Sequence, residues 1–181
     1  MPNEQEEILD IVDANDSVIG QIPRTEYYRT DTKPGYVRAV NLFLINSSGK
    51  IWVPRRAASQ KIKPNALDFS AGGHVSAGET YELSMLREAE EELGIKINPD
   101  ELRNLGRLVP EDSPGRHYYF CECFAYYSDE APHYTEQEFS GHEWLLPEEL
   151  LAKIESGEDA KESIKDALKL LMDYQAERIG N

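Results

Sequence analysis

The chain has 181 residues, 40% of them hydrophobic and 29% charged, enough for one globular domain with a substantial core and hardly for two. Its net charge of −15 repels nucleic acid and anionic membrane, so bulk electrostatics supplies neither as a partner. No run is long and apolar enough to span a bilayer, and the acidic stretch from Met1 to Asp10 lacks the basic-then-apolar layout of a signal peptide.

In chain order, Glu7 to Gln21 alternates and turns at Asn15-Asp16, which predicts a β-hairpin. A short helical turn is expected at Arg24 to Arg29, after Pro23, and a loop from Asp31 to Gly35. Val37 to Asn46 is a near-continuous apolar run, the pattern of a central strand covered on both faces. Ile51 to Pro54 reads as the returning strand. Arg55, Arg56, Lys61 and Lys63 then form a basic island in an acidic chain, and Leu67 to Ser70 reads as a short strand leading into glycines. Further on, Leu102 to Val109 is an expected strand and Pro110 to Gly115 a loop. Tyr118 to Tyr127 is expected to be another central strand. Ser128 to Ser140 reads as a loop, Glu143 to Leu146 as a strand, and Pro147 as the first residue of a helix. Ala160 to Arg178 closes the chain with an apolar stripe of Ile164, Ala167, Leu168 and Leu171. Cys121 and Cys123 fall on one face of their strand, poorly placed for a disulfide, and read as buried thiols of a reducing cytoplasm.

The stretch from Gly73 to Ile95 carries the chemistry. Gly72, Gly73 and Gly78 are expected to make tight turns. Thr80 is the expected N-cap and Gly94 the C-cap of the helix between them. On a helical wheel Leu83, Leu86, Ala89 and Leu93 share one arc. Glu88, Glu91 and Glu92 crowd another, at the i, i+3, i+4 spacing of neighbours. Such an oxygen-only cluster suits a hard cation, Mg²⁺ or Mn²⁺; a solvated acidic face is the other reading. Strands on either side of this helix, with another helix at the end, predict a layered α/β domain.

Gly73, Glu79, Arg87, Glu88, Glu91, Glu92, Gly94 and Ile95 together stand at the spacing of the Nudix box, and on these residues the chain resembles the Nudix hydrolases. Ala89 stands where a larger aliphatic is usual. The resemblance implies an α/β/α sandwich around a mixed sheet, in one domain over 1–181, with the hairpin extension at 1–35 and the core at 36–181. It implies divalent metal on Glu88, Glu91 and Glu92, joined by the carbonyl of Gly72. It implies that Arg87 orients the carboxylates through Glu79, and that Glu91 or Glu138, ahead of the strand with Trp144, is the general base. The expected substrate is a small-molecule diphosphate, a nucleoside di- or triphosphate or a diphosphate linked to another group, and the family's habit makes a homodimer an expectation. A nucleotide-binding module without catalysis is a further alternative, disfavoured by the complete set of glutamates.

The flank from Arg55 to His74, RRAASQKIKPNALDFSAGGH, resembles isopentenyl diphosphate isomerases. By that resemblance Arg55 or Arg56, with Lys61 or Lys63, holds a diphosphate, and His74 matches a metal ligand. The isomerases place a cysteine immediately before the Gly-His pair, and here that position is Gly72, which opposes proton transfer on carbon. Tyr118, Tyr119 and Tyr134 are aromatic candidates for stacking on a base, with buried packing as the plainer reading.

Overall fold

In a computed structural model that describes residues 6–110, 119–135 and 137–179, the chain opens with strands β1 (Ile8–Val12) and β2 (Val18–Pro23), paired antiparallel, and a one-turn helix α1 (Arg24–Arg29). The core follows as β3 (Val37–Ile45), β4 (Ile51–Arg56), β5 (Ala71–His74), α2 (Tyr81–Leu93), β6 (Arg103–Leu108), β7 (Tyr119–Tyr127), β8 (Phe139–Leu145), α3 (Pro147–Glu155) and α4 (Ile164–Ile179). Past Pro110, the loop expected to Gly115 lies outside the described residues, as does Tyr118.

The sheet runs β6-β7-β3-β4-β8, with β5 also paired to β3. It is mixed: β3 and β7 run parallel from Val37–Tyr119 to Ile45–Tyr127, and the other pairs are antiparallel. Alternation along β3 sends Phe43 and Ile45 to one face and Val40, Leu42 and Leu44 to the other. The first face packs on Leu150 of α3 and on Ile164, Ala167, Leu168 and Leu171 of α4, together with Cys121 and Cys123. The second packs on Met85, Ala89 and Leu93 of α2. The result is the expected α/β/α sandwich, in which each large side chain taken out of water contributes about 1.5–3 kcal/mol. Both cysteines are buried free thiols.

Two departures have physical causes. The strand expected at Leu67 to Ser70 forms instead at Ala71–His74, on the glycines. Gly72 and Gly73 are extended and lie flat beside β3, and only Gly78 of the three turns with a positive φ of 82°. The apolar arc of α2 is rotated: Met85, Ala89 and Leu93 are buried and Leu83 is 57% exposed. Thr80 and Gly94 cap α2 as expected, Thr80 Oγ1 accepting from Leu83 N at 3.2 Å and Gly94 turning left-handed at φ 68°.

Between β3 and β4 the ladder is reduced to the pair Ile45–Ile51, and the gap admits β5. Ser70 sits in that gap, fully buried, its Oγ accepting from Leu44 N (2.9 Å) and donating to Trp52 O (2.7 Å). The hairpin is tied across the same region. Asp16, at its turn, accepts from Arg38 Nε (2.6 Å), Arg107 Nη1 (2.8 Å) and the Tyr81 hydroxyl (3.0 Å). Asp10 accepts from Gly78 N and from the Gln21 amide, both at 3.0 Å. The N-terminal strands thereby grip the loop that precedes α2.

Candidate functional site

β5 lies against the middle and last turns of α2, and the two share the site. A Cβ on Gly73 would overlap the Glu88 carboxylate, so the missing side chain is what lets that carboxylate reach the strand. Gly72 N–H donates to Glu92 Oε2 at 2.9 Å. One guanidinium joins the rest: Arg87 donates to Glu88 Oε1 (2.8 Å), Glu91 Oε2 (3.2 Å), Glu79 Oε2 (3.2 Å) and the carbonyl of His74 (3.2 Å). Arg87 and Glu79 are thus brought together, as are all three glutamates expected to hold metal.

The carboxyls differ in their protonation. Burial raises Glu79, but the Ser84 hydroxyl at 2.5 Å and Arg87 more than offset it and hold the group below the usual carboxylate range. Burial lifts Glu88 in spite of Arg87. Glu92 is pushed up to about 8, by burial first and then by Glu88, Asp68 and Glu138, against the hydrogen bond from Gly72. Glu91 is the most open of the three, with 60% of its side chain exposed.

These groups line a cavity of about 590 Å³, whose far wall is Glu6, Glu7 and Arg24 from the hairpin's flanks. A second cavity of about 490 Å³ adjoins it and shares Arg24, Gly72, Gly73, His74 and Glu92. In its own lining cations outnumber acids: Arg56, Lys63 and Lys161 stand with Glu138, Glu162 and the aromatic rings of Tyr28, Tyr119 and Phe139. The two form one cleft, acidic at the box and basic beyond it, with β5 as the divide. A wider hollow of about 720 Å³ beside Thr30 to Tyr36 contains no box residue.

The basic island divides on folding. Arg56 lines the cleft but is held by Asp68 Oδ2 (2.5 Å) and the carbonyl of Ile62 (2.9 Å). Lys63 lines it and pairs with Asp159 at 3.0 Å. Arg55 points away, to Glu158 and the carbonyl of Asn65, and Lys61 is exposed; neither lines the cleft. His74 stands on the divide, its Nε2 2.5 Å from the Tyr28 hydroxyl. Burial, then the charges of Arg24 and Lys161, push it down to about 3, so its ring is neutral at working pH and offers no cation to a phosphate. Glu138 faces the basic half and is near enough to raise Glu92. Tyr134 packs on Trp52 and Phe139 instead of lining the cleft, while Tyr119 lines it.

Sequence reading missed Arg24, Tyr28, Asn41 and Lys161. Asn41 had a signal, a polar residue inside the apolar run of β3. Lys161 had none, because its place depends on the parallel bridge between Ala160 and Leu67.

Among the described residues no three His, Cys, Asp or Glu side chains converge as a closed metal cage. The donor set nonetheless fits a hard divalent cation. Three carboxylates stand within two turns of one helix, two of them raised by burial, and the negative charge they cannot comfortably carry is what such a cation relieves.

The Nudix domain family model matches residues 35–167. The chain belongs to the Nudix family. An uncharacterized Nudix hydrolase of Nostoc sp. is 42% identical over 170 residues, 94% of this chain and 96% of that one. A Nudix hydrolase of Deinococcus radiodurans is 42% identical over 164 residues, 91% and 93% of the two chains. A crystal structure of a Deinococcus radiodurans protein superposes with a TM-score of 0.77 at 42% identity, covering 90% of this chain and 98% of the other. An isopentenyl-diphosphate Delta-isomerase of Kocuria rhizophila is more distant, 30% identical over 161 residues, 85% and 86% of the two chains. Nudix hydrolases act on pyrophosphate bonds and generally use divalent metals, and the box of this member is complete.

Proposed function

We propose that this Nudix protein hydrolyses the diphosphate linkage of a nucleoside di- or triphosphate, or of a related nucleoside-diphosphate compound, with Mg²⁺ or Mn²⁺. The observation that carries the reading is the continuous cleft, carboxylates at one end and cations at the other, because a diphosphate needs both. Glu88, Glu91, Glu92 and the carbonyl of Gly72 would hold the cation. When bound, it would offset charge developing on phosphoryl oxygens and make water a better nucleophile. Arg87 keeps the carboxylates in place. Arg56 and Lys63 face the phosphates, and the proton of the attacking water passes to Glu91 or Glu138 as the P–O–P bond breaks. Two buried free thiols and the acidic surface suit a reducing cytoplasm and a small-molecule substrate, with no nucleic acid and no membrane.

The isomerase reading draws on the Kocuria relative. Against it, a Cβ at position 72 would lie 2.5 Å from Asn41 Oδ1 and 2.7 Å from the carbonyl of Val40, so this packing has no room for a thiol side chain there. The test is cleavage of nucleoside di- and triphosphates, nucleotide sugars, dinucleotides and prenyl diphosphates, read by chromatography of the products, each with Mg²⁺, Mn²⁺ or EDTA, for wild type and Glu92→Gln. Metal-dependent cleavage of one class, lost in the variant, is expected. Carbon-bound deuterium entering isopentenyl diphosphate, with no diphosphate linkage cleaved in any substrate, would reverse the reading.

A further inference from the structure

Among the described residues four cations line the basic half of the cleft, and they are not equally free. Arg56 is only 15% exposed in its side chain and is spent on Asp68, Gln60 and the carbonyl of Ile62. Lys63 has Asp159 at 3.0 Å. Lys161 differs: its nearest acid among the described residues, Asp68 Oδ1, is 3.8 Å away, and that oxygen already accepts from Phe69 N at 2.8 Å while Oδ2 takes Arg56. Among the described residues its three donors have no acceptor within hydrogen-bond reach, and an ammonium so placed is poised to take an anion. Its backbone is nevertheless fixed, Lys161 N donating to Leu67 O at 2.9 Å and its carbonyl accepting from Ile164 N at 3.2 Å. Arg24, from the N-terminal extension, lines the same half of the cleft. One of its nitrogens meets Glu7 at 2.9 Å, its side chain is 49% exposed, and it lines both halves of the cleft.

We propose that Lys161 and Arg24 form a subsite for the terminal phosphate of the substrate, and that this subsite selects nucleoside di- and triphosphates over compounds whose diphosphate ends in an uncharged group. The site joins a residue before α4 to one at the start of α1, both outside the box. It rests on the hydrolase reading above for its place in turnover, but not for binding.

The test compares Lys161→Ala, Lys161→Arg and Lys165→Ala, the last removing a surface lysine that pairs with Glu155 away from the cleft. For a nucleoside diphosphate, Lys161→Ala is expected to raise KM roughly ten-fold with kcat within about three-fold. KM for a nucleotide sugar should not move. Lys161→Arg should restore most of the loss and Lys165→Ala should match wild type. In EDTA, calorimetric binding of methylenediphosphonate should weaken by a similar factor in Lys161→Ala. Equal changes for both substrates, or none, overturn the subsite while leaving metal-dependent hydrolysis standing. Lysine-dependent diphosphonate binding by a wild type that cleaves nothing keeps the subsite and removes the hydrolase reading. A wild type that neither binds nor cleaves removes both.

Discussion

Three glycines in or beside the box do three different things, and alanine at each separates them. At Gly73 the added methyl meets the end of a flexible side chain, Glu88, which has to move. The fold should tolerate this, with a melting shift of a few degrees at most, while turnover falls at least about a hundred-fold because a proposed metal ligand is misplaced. At Gly72 the methyl meets the backbone carbonyl of Val40 at 2.7 Å, so Gly72→Ala should unfold at clearly lower urea. Gly78 has open space but a φ of 82°, and Gly78→Ala should cost about 1 kcal/mol with little change in turnover. Thermal melts and initial rates on the three variants check the order.

Two side chains at the divide make metal-free stability fall on both sides of an optimum. Glu92 titrates near 8 in the fold and near 4.5 when unfolded. Between those values the folded state holds a proton the unfolded state has lost, so stability declines as pH rises from 4.5 towards 8. His74 titrates near 3 in the fold against 6.5. The unfolded state therefore gains a proton the fold refuses, and stability declines as pH falls from 6.5 towards 3. In EDTA, Glu92→Gln should flatten the alkaline limb and His74→Gln the acid limb. Adding Mg²⁺ at pH 8 should restore stability to wild type and not to Glu92→Gln. Denaturant midpoints across pH 4 to 9 decide it.

At the scale of elements, the hairpin is a clamp on the loop that precedes α2. Ile8 O accepts from Ala77 N at 2.8 Å, Leu9 bridges Ser76, and the 4%-exposed Asp10 accepts from Gly78 N. Asp10→Ala leaves the Gly78 N–H without its partner, a cost of about 1–3 kcal/mol, and frees the loop from β1. Amides of residues 76–79 should exchange faster with deuterium in the variant, and kcat should fall while the far face under α4 keeps its protection. None of this clamp could be read ahead, since it joins positions some 68 apart in sequence. What could be read was local: caps at Thr80 and Gly94, the turn at Asn15-Asp16, the apolar run of β3, and box residues separated by helical spacing. The strand on Ala71–His74 was hidden because glycine signals turns, and here its role is to let backbone lie close to backbone. The basic island was legible as charge but not as direction. Arg55 and Arg56 are adjacent on β4, so their side chains leave opposite faces, and only one can enter the cleft.

At the scale of the molecule, the site exists because the sheet is split. If β3 and β4 were zipped along their length, β5 could not pair with Ala39 to Leu42, and Gly72 and Gly73 would have no place beside α2. The split leaves Leu44 N and Trp52 O without ladder partners in a buried region, and Ser70 serves both through one hydroxyl. Ser70→Ala removes that hydroxyl and strands a donor and an acceptor, each costing about 1–3 kcal/mol when buried and unpaired. For a chain of this size a loss of about 2 kcal/mol or more should lower Tm by roughly 4–8 °C, and urea curves should show a lower midpoint at unchanged slope. The damage should also reach the site, because Ser70 immediately precedes β5 and its N–H donates to Leu42 O at 3.0 Å. Ser70→Ala is therefore expected to lose turnover at temperatures well below its own melting point, whereas Leu171→Ala, a cavity under α4 on the opposite layer, should lose comparable stability and keep its rate until it melts. Rates and melts measured together on the two variants distinguish a sheet that merely supports the site from one whose opening builds it.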